Sequence, residues 1–206
     1  MTIFGHKPNA TAWVGIFIVG FFVFLAIFAP WLAPFSQAET VGDTWAPASA
    51  TSWFGTDQIG RDLLSRIIYG ARMTIGIALA TTVLSFLIGT TLGLLASTGG
   101  NVIDQILSRI VDVMLSIPLL VFALIILSMF GSSIPTLIIT IAVLDSTRVF
   151  RLARAVSMNI AVLEYVEAAK LRGEGLWWVM TKEVLPNVLP PMISEFGLRF
   201  CFNFLF

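Results

Sequence analysis

The sequence predicts an all-α integral membrane protein that crosses the bilayer several times. Three observations carry that expectation. Of 206 residues, 57% are hydrophobic and 12% charged, the mean hydropathy is +0.93, and long apolar stretches recur along the chain. A soluble domain of this size cannot bury so much apolar surface, because much of a small domain's area stays exposed. A bilayer supplies the missing environment. Twelve basic residues balance twelve acidic ones, so the chain carries no nucleic-acid footprint.

The first stretch, from about Ala12 to Phe35, follows a short start holding His6 and Lys7. Its apolar core is long for a signal peptide, and Pro30 and Pro34 do not resemble a small-residue cleavage site. It is expected to stay as an anchor. Further apolar stretches cover about Met73–Ala96, Val113–Phe130 and Ile134–Phe150, and a last one begins near Val188. A spanning helix needs ~20 such residues. The Ile134 stretch is the weakest, because Asp145 interrupts it. The last is still running at Phe206, and a helix end in lipid leaves carbonyls unpaired, so the sequence is expected to continue. This divides the chain into residues 1–35 (start and first span), an extracytoplasmic segment 36–72 with a short helix, and a transmembrane core 73–206 that includes a cytoplasmic loop at 155–187.

Orientation follows the basic residues. Arg148, Arg151, Arg154, Lys170, Arg172 and Lys182 place the 148–187 region in the cytoplasm. Counting back puts Lys7 and the turn Asn101–Asp112 there as well, and 36–72 outside. In that outer segment Asp57 is suited to cap a turn, and Asp62 and Arg66 are spaced as an i,i+4 pair.

Particular residues stand out within the spans. Ser85, Gly89, Gly93 and Ser97 repeat every four residues, so small side chains line one stripe of a helix and let another approach closely. The partner helix is either in this chain or in another subunit. Pro118, near Ser116, predicts a kink or an opened turn, which is tolerated where it faces protein or a water-filled path. Asp145 stands three residues before Arg148, as an interfacial ion pair would. Glu195 and Arg199 lie four apart on one helix face. Each is either a neutralised pair or a polar group facing a translocation path.

Enzyme chemistry finds little support. His6, the one histidine, is at the start, and Cys201 is a lone thiol that makes neither an intrachain disulfide nor a zinc site. No nucleophile elbow, metal-spaced set or Gly-rich dinucleotide turn occurs. None of Lys7, Lys170 and Lys182 follows a glycine, so there is no phosphate-binding G-x-x-x-x-G-K-[ST] loop and the chain is not expected to hydrolyse ATP.

Between the last two stretches lies EYVEAAKLRGEGLWWVMTKEVLPN, residues 164–187. Residues 162–171 suit a short amphipathic helix, with Ala168 and Ala169 offering a smooth face to a partner protein. Gly173 and Gly175 permit a sharp change of direction. A second short helix carries Trp177 and Trp178, rings suited to the membrane boundary, and the segment ends at Leu185-Pro186 before the chain re-enters the bilayer.

Glu167-Ala168-Ala169, then Gly173, then Val184-Leu185-Pro186 resembles the EAA loop of ABC-type importer membrane subunits. The string G-T-D-x-x-G-R-D-x-L-S-R-x-x-x-G-A-R, within Trp53–Leu79, is similar to the signature of dipeptide/oligopeptide/nickel-type permeases, specifically their second (C-type) membrane subunit. FAPWLAP, Phe28–Pro34, resembles the end of their first span. The resemblance covers nearly all of residues 28–206. It departs at Glu183, where the family has isoleucine, and at Gly175, where a small non-glycine residue is usual.

The resemblance implies a multi-span helical permease fold, with five spans begun here and a sixth expected. It also implies that the loop is a coupling element docked on a cytoplasmic ATPase, carried by Glu164, Glu167, Ala168, Ala169, Gly173, Leu185 and Pro186. The implied partners are a second permease subunit in a heterodimer, two ATPase subunits that bind ATP and Mg, and an extracytoplasmic solute-binding protein. On the same grounds the chain itself is expected to bind no cofactor or metal and to reside in a bacterial inner membrane. A secondary transporter or channel subunit working without ATP is the alternative, and the 164–187 loop separates the two, since such proteins have no motor to grasp.

Overall fold

The computed structural model describes residues 10–205, so the expectations for His6 and Lys7 lie outside the described residues. It is helical, with isolated bridges at Thr40–Arg61 and Thr56–Asp62 among the described residues. The chain divides into two compact units at Gly76 and Ile77, and each is taken separately.

In the first unit, α1 (Ala10–Leu32) is apolar on all sides, as a helix surrounded by lipid should be. Residues 33–62 then fold into a hydrogen-bonded knot rather than an open loop. Asp57 accepts from the backbone N–H groups of Ile59 (2.8 Å) and Arg61 (3.0 Å) and from the Arg61 Nε (2.9 Å). Burial alone would raise its pKa, but these donors outweigh that and hold it well below the usual carboxylate range. Asp62 precedes α2 (Leu63–Thr98) and accepts from the Ser65 N–H at 2.8 Å, the Ser65 hydroxyl at 2.7 Å and the Ser52 hydroxyl at 2.5 Å. It thereby satisfies a free N–H at the helix start, and its pKa too is lowered against the effect of burial.

The expected Asp62–Arg66 pair is therefore corrected. Arg66 reaches back to Asp57 at 2.5 Å, because the Asp62 oxygens are turned onto the helix end. Gly55 and Gly60 of the G-T-D string have φ of 76° and 77°. A Cβ there would stand 2.5 Å from the Ala46 carbonyl oxygen and 2.1 Å from that of Gly42. The glycines of this signature are thus required by close backbone approach. The short outer helix expected before the second span is also not separate, for α2 starts at Leu63 and continues unbroken to Thr98.

In the second unit, the remainder of α2 leads to α3 (Asn101–Ser116), α4 (Leu119–Phe130) and α5 (Ile134–Ala161). The expected turn at Asn101–Asp112 is helical, and the expected third span is broken. At Ile117-Pro118 the chain bends by 88° between α3 and α4, because Pro118 cannot donate the hydrogen bond that would join them. After α5 come α6 (Glu164–Leu171), α7 (Leu176–Trp178), a π-helical turn (Val179–Val184) and α8 (Leu185–Leu205). The expected stop at Leu185-Pro186 is not one. The Leu185 N–H donates to the Met180 carbonyl, and this widened turn makes room for the Pro186 ring that an ordinary helical turn would exclude.

By length and composition, α1 and α2 each suffice to cross a membrane, and the bent α3–α4 pair meets the same test only when taken together. α5 and α8 have 28 and 21 residues, about 42 and 32 Å of helix, but carry charge in mid-length. The core lies where α2, α5, α6, the π turn and α8 meet, around Leu94, Val149, Ala153, Val166, Val179, Val184 and Val188.

The small-residue stripe of α2 packs within the chain. A Cβ on Gly89 would lie 2.6 Å from both the Ser146 carbonyl oxygen and the Val149 Cβ, and one on Gly93 would lie 2.7 Å from the Ala153 Cβ. Ser85 is fully buried, and Ser97 turns its hydroxyl to the Leu94 carbonyl (2.9 Å). Gly89→Leu is expected to force α2 from α5 and cost about 1–3 kcal/mol, visible as a lower unfolding temperature in detergent. Gly76→Ala, where an added Cβ meets nothing within 4 Å, should leave that temperature unchanged or raise it.

Candidate functional site

The loop between α5 and α8 is built from the inside. Val166 and Ala169, one turn apart on α6, are completely buried against the π turn and α5. Burying such a valine is worth ~1.5–3 kcal/mol, enough to hold a helix of two turns that has no stability of its own. Ala169 therefore belongs to the core, which corrects the expectation that Ala168 and Ala169 face out together. Glu164, Glu167, Ala168 and Lys170 are exposed, and Leu171 is 83% exposed. Glu164 and Glu167 in the first turn and Lys170 in the last suit the helix dipole.

The end of α6 explains Gly173. The Gly173 N–H donates to the Lys170 carbonyl at 3.0 Å and the Glu174 N–H to the Ala169 carbonyl at 3.2 Å. This is a Schellman cap, whose geometry needs a left-handed residue just past the helix end. Gly173 supplies it at φ 83°. Gly175 does not share the role expected of it, since its φ is −68°. Glu183 is half-buried and approaches Arg172 at 3.9 Å, so an acid at this position faces a base across the bend. Leu185 joins the core beside Val184, while Pro186 is exposed. Trp177 lines an apolar groove of about 480 Å³ with Phe86, Met180, Leu185 and Phe196.

Along the same pair of helices lies a second constellation. Arg199 on α8 donates from Nε to Glu195 at 2.6 Å and places Nη1 3.5 Å from Asp145 on α5. Arg148 stands farther off, at 4.0 Å. Asp145 is 3% exposed, so the expectation of an interfacial Asp145–Arg148 pair is corrected: the aspartate is interior and its nearest cation is on another helix. Asn203, one turn beyond Arg199, donates to Thr82 of α2 at 3.1 Å. The Arg199 guanidinium also lies 5.6 Å from the Phe202 ring centre, within cation–π range. Asp145, Glu195 and Arg199 are thus brought together. Ser116 and Pro118 remain at the α3–α4 break, where the Ser116 hydroxyl donates to the Val113 carbonyl at 2.7 Å. Thr82 and Asn203 were not singled out from the sequence. For Asn203 a signal existed in the four-residue spacing of Glu195, Arg199 and Asn203; for Thr82 there was none.

Known proteins share this organisation at the level of sequence. Residues 89–206 match the model of the binding-protein-dependent transport system inner membrane component family. Residues 7–47 match the N-terminal TM domain of oligopeptide transport permease C. The chain is 37% identical over 195 residues to the dipeptide transport system permease protein DppC of Alkalihalophilus pseudofirmus, an alignment covering 94% of this chain and 64% of that protein. It is 36% identical over 204 residues to the di/tripeptide transport system permease protein DppC of Pseudomonas aeruginosa, covering 96% and 67%. The chain thus spans about two thirds of the length of these relatives. Among solved structures, an amino acid ABC transporter crystallised with histidines is 24% identical, with a TM-score of 0.47 over 69% of this chain and 74% of that one. A chain so apolar, matched by these models over both its ends, is a multi-pass inner-membrane protein, and it belongs to the binding-protein-dependent transport system inner membrane component family.

Proposed function

We propose that this chain is a transmembrane subunit of an ATP-driven importer, forming half of a translocation pathway for peptides or similar small solutes. The observation that carries this reading is α6: a short, charged, mostly exposed helix, anchored by two buried residues and closed by a Gly173 cap. Its chemistry suits docking onto a soluble partner. Glu164, Glu167, Ala168 and Gly173 present the contact, and Ala169 and Leu185 hold it from within. The dipeptide and di/tripeptide permeases that the chain resembles supply the solute class.

In this scheme an extracytoplasmic binding protein delivers the solute to this subunit and a second permease subunit. Two cytoplasmic ATPase subunits, which carry ATP and Mg, press on α6. Because α6 joins α5 to α8, a push there moves both helices. Nucleotide drives alternating access by favouring one of the two states over the other. The chain itself is not assigned catalysis. A transporter that works without ATP would have no use for an exposed helix held in this way.

The test is recovery of partners. The full-length tagged protein, taken from native membranes in mild detergent, should bring down an ATPase identified by mass spectrometry. Replacing Glu167 and Gly173 together should abolish that recovery while the protein remains in the membrane. Intact recovery of this chain without an ATPase, across several mild detergents, would favour the ATP-independent alternative.

A further inference from the structure

The helix α3 has two unlike faces. One packs on α5, with Val111 buried beside Phe150 and Leu107 and Leu115 against them. The other exposes Val102, Ile106, Ile110 and Val113, which are 71, 55, 52 and 66% exposed. Their spacing of four, four and three residues puts them on one stripe. Asn101, Asp104, Gln105, Ser108 and Asp112 lie off that stripe on the same helix, and Arg109 borders it.

Two ion pairs give the direction of α3. Asp104 binds Arg154 of α5, with one contact at 2.6 Å, and Asp112 approaches Arg151 at 3.5 Å. Eight residues along α3, about 12 Å, thus correspond to three residues along α5, about 4.5 Å. Leu107, Val111 and Leu115 of α3 also gather at the single residue Phe150 of α5, which fits an α3 that crosses α5 rather than running beside it, and α4 leaves α3 at 88°.

We infer that α3 does not cross the bilayer but lies in its headgroup layer, on the membrane face that carries Arg151 and Arg154, with the Val102–Ile106–Ile110–Val113 stripe set into the acyl boundary. Water alone would leave that stripe unburied, and the hydrocarbon core would strand the polar residues of the same helix. The interface satisfies both. Past the bend, α4 likewise exposes Leu120 and Leu124, at 60 and 65%, as a segment meeting acyl chains would. At the crossing, a cavity of about 360 Å³ is lined by Ser108, Asp112, Arg151 and Arg154. Arginines at this depth hold their charge among the headgroups while their stems lie along apolar surface.

The experiment is depth measurement by electron paramagnetic resonance. Single cysteines replace Val102, Ile106, Ile110 and Val113 in turn, with Gln105 as a control, in the full protein with Cys201 and any further native cysteine changed to serine. Each carries a spin label, and the complex is placed in lipid bilayers. Power saturation compares oxygen, which partitions into acyl chains, with a water-soluble nickel chelate. The four stripe positions are expected at one common depth, more open to oxygen than to nickel, with the Gln105 label showing the reverse. A spanning α3 would instead show depth changing steadily with residue number, by about 16 Å from Val102 to Val113, and would overturn the inference. Labels shielded from both reagents would also overturn it, since the stripe would then be covered by protein.

Discussion

Uptake by variants at Gly173 is expected to fall in the order asparagine, alanine, valine, with membrane level unchanged. The backbone there is left-handed, at φ 83°, and an added Cβ would meet nothing within 4 Å. Loss of function would therefore come from conformation and not from collision. An ordinary L-residue in that region costs roughly 1–2 kcal/mol. Asparagine tolerates it best and a β-branched residue worst. If the Schellman cap holds α6 in the pose that a partner grips, valine should lower uptake by about tenfold or more, the factor set by ~1.4 kcal/mol. Solute uptake with an immunoblot of the membrane fraction makes the measurement. Normal uptake by Gly173→Val would remove the cap from the mechanism, and a depleted membrane fraction would mean that the loop is needed for folding instead.

Arg199→Leu should be more damaging than loss of the whole charge cluster. Arg199 is shared by Glu195 at 2.6 Å and Asp145 at 3.5 Å, all three largely removed from solvent. Removing one partner of a buried pair costs about 3–5 kcal/mol, because charge is left uncompensated, whereas replacing all partners by neutral groups is often nearly neutral. The pair Glu195→Gln with Arg199→Leu still strands Asp145. Only the triple change that adds Asp145→Asn discharges the cluster. The expected order of unfolding temperature in detergent is wild type and triple variant high, double variant lower, Arg199→Leu lowest. A triple variant no more stable than the single one would show that Asp145 and Glu195 do not share Arg199. A triple variant that folds but does not transport would assign the cluster a role in the pathway beyond holding α5 to α8.

Much of this molecule was legible in one dimension because lipid imposes a simple rule. A chain in hydrocarbon must satisfy its backbone internally, so apolar runs become helices and their rough extents follow from hydropathy. The glycine-marked loop was legible for a related reason, since helix capping is decided by neighbouring residues, and Gly173 plays its part within six positions of chain. The same locality made the G-T-D string readable as a turn. Its neighbours read differently, because i,i+4 spacing suggests Asp62 with Arg66, whereas α2 begins at Leu63 and takes the Asp62 carboxylate for the Ser65 N–H of its first turn.

What depends on partners far apart in sequence was settled only by the fold. Whether the stripe at Gly89 and Gly93 met this chain or another required the position of α5. Asp145 looked interfacial beside Arg148, and its closer cation lies 54 positions later (199 − 145) on α8. Ala169 and Ala168 are neighbours with the same side chain, yet one is core and the other surface, because α6 turns only one face to the π turn. Hydropathy also counted the segment before and after Pro118 as one span, although the break bends it by 88°. Composition and local hydrogen bonding determined the class of the protein, its helices and its hinge. Long-range packing decided which charges meet, which alanine is buried and which helix lies across another, because those outcomes depend on distances that no local stretch of sequence contains.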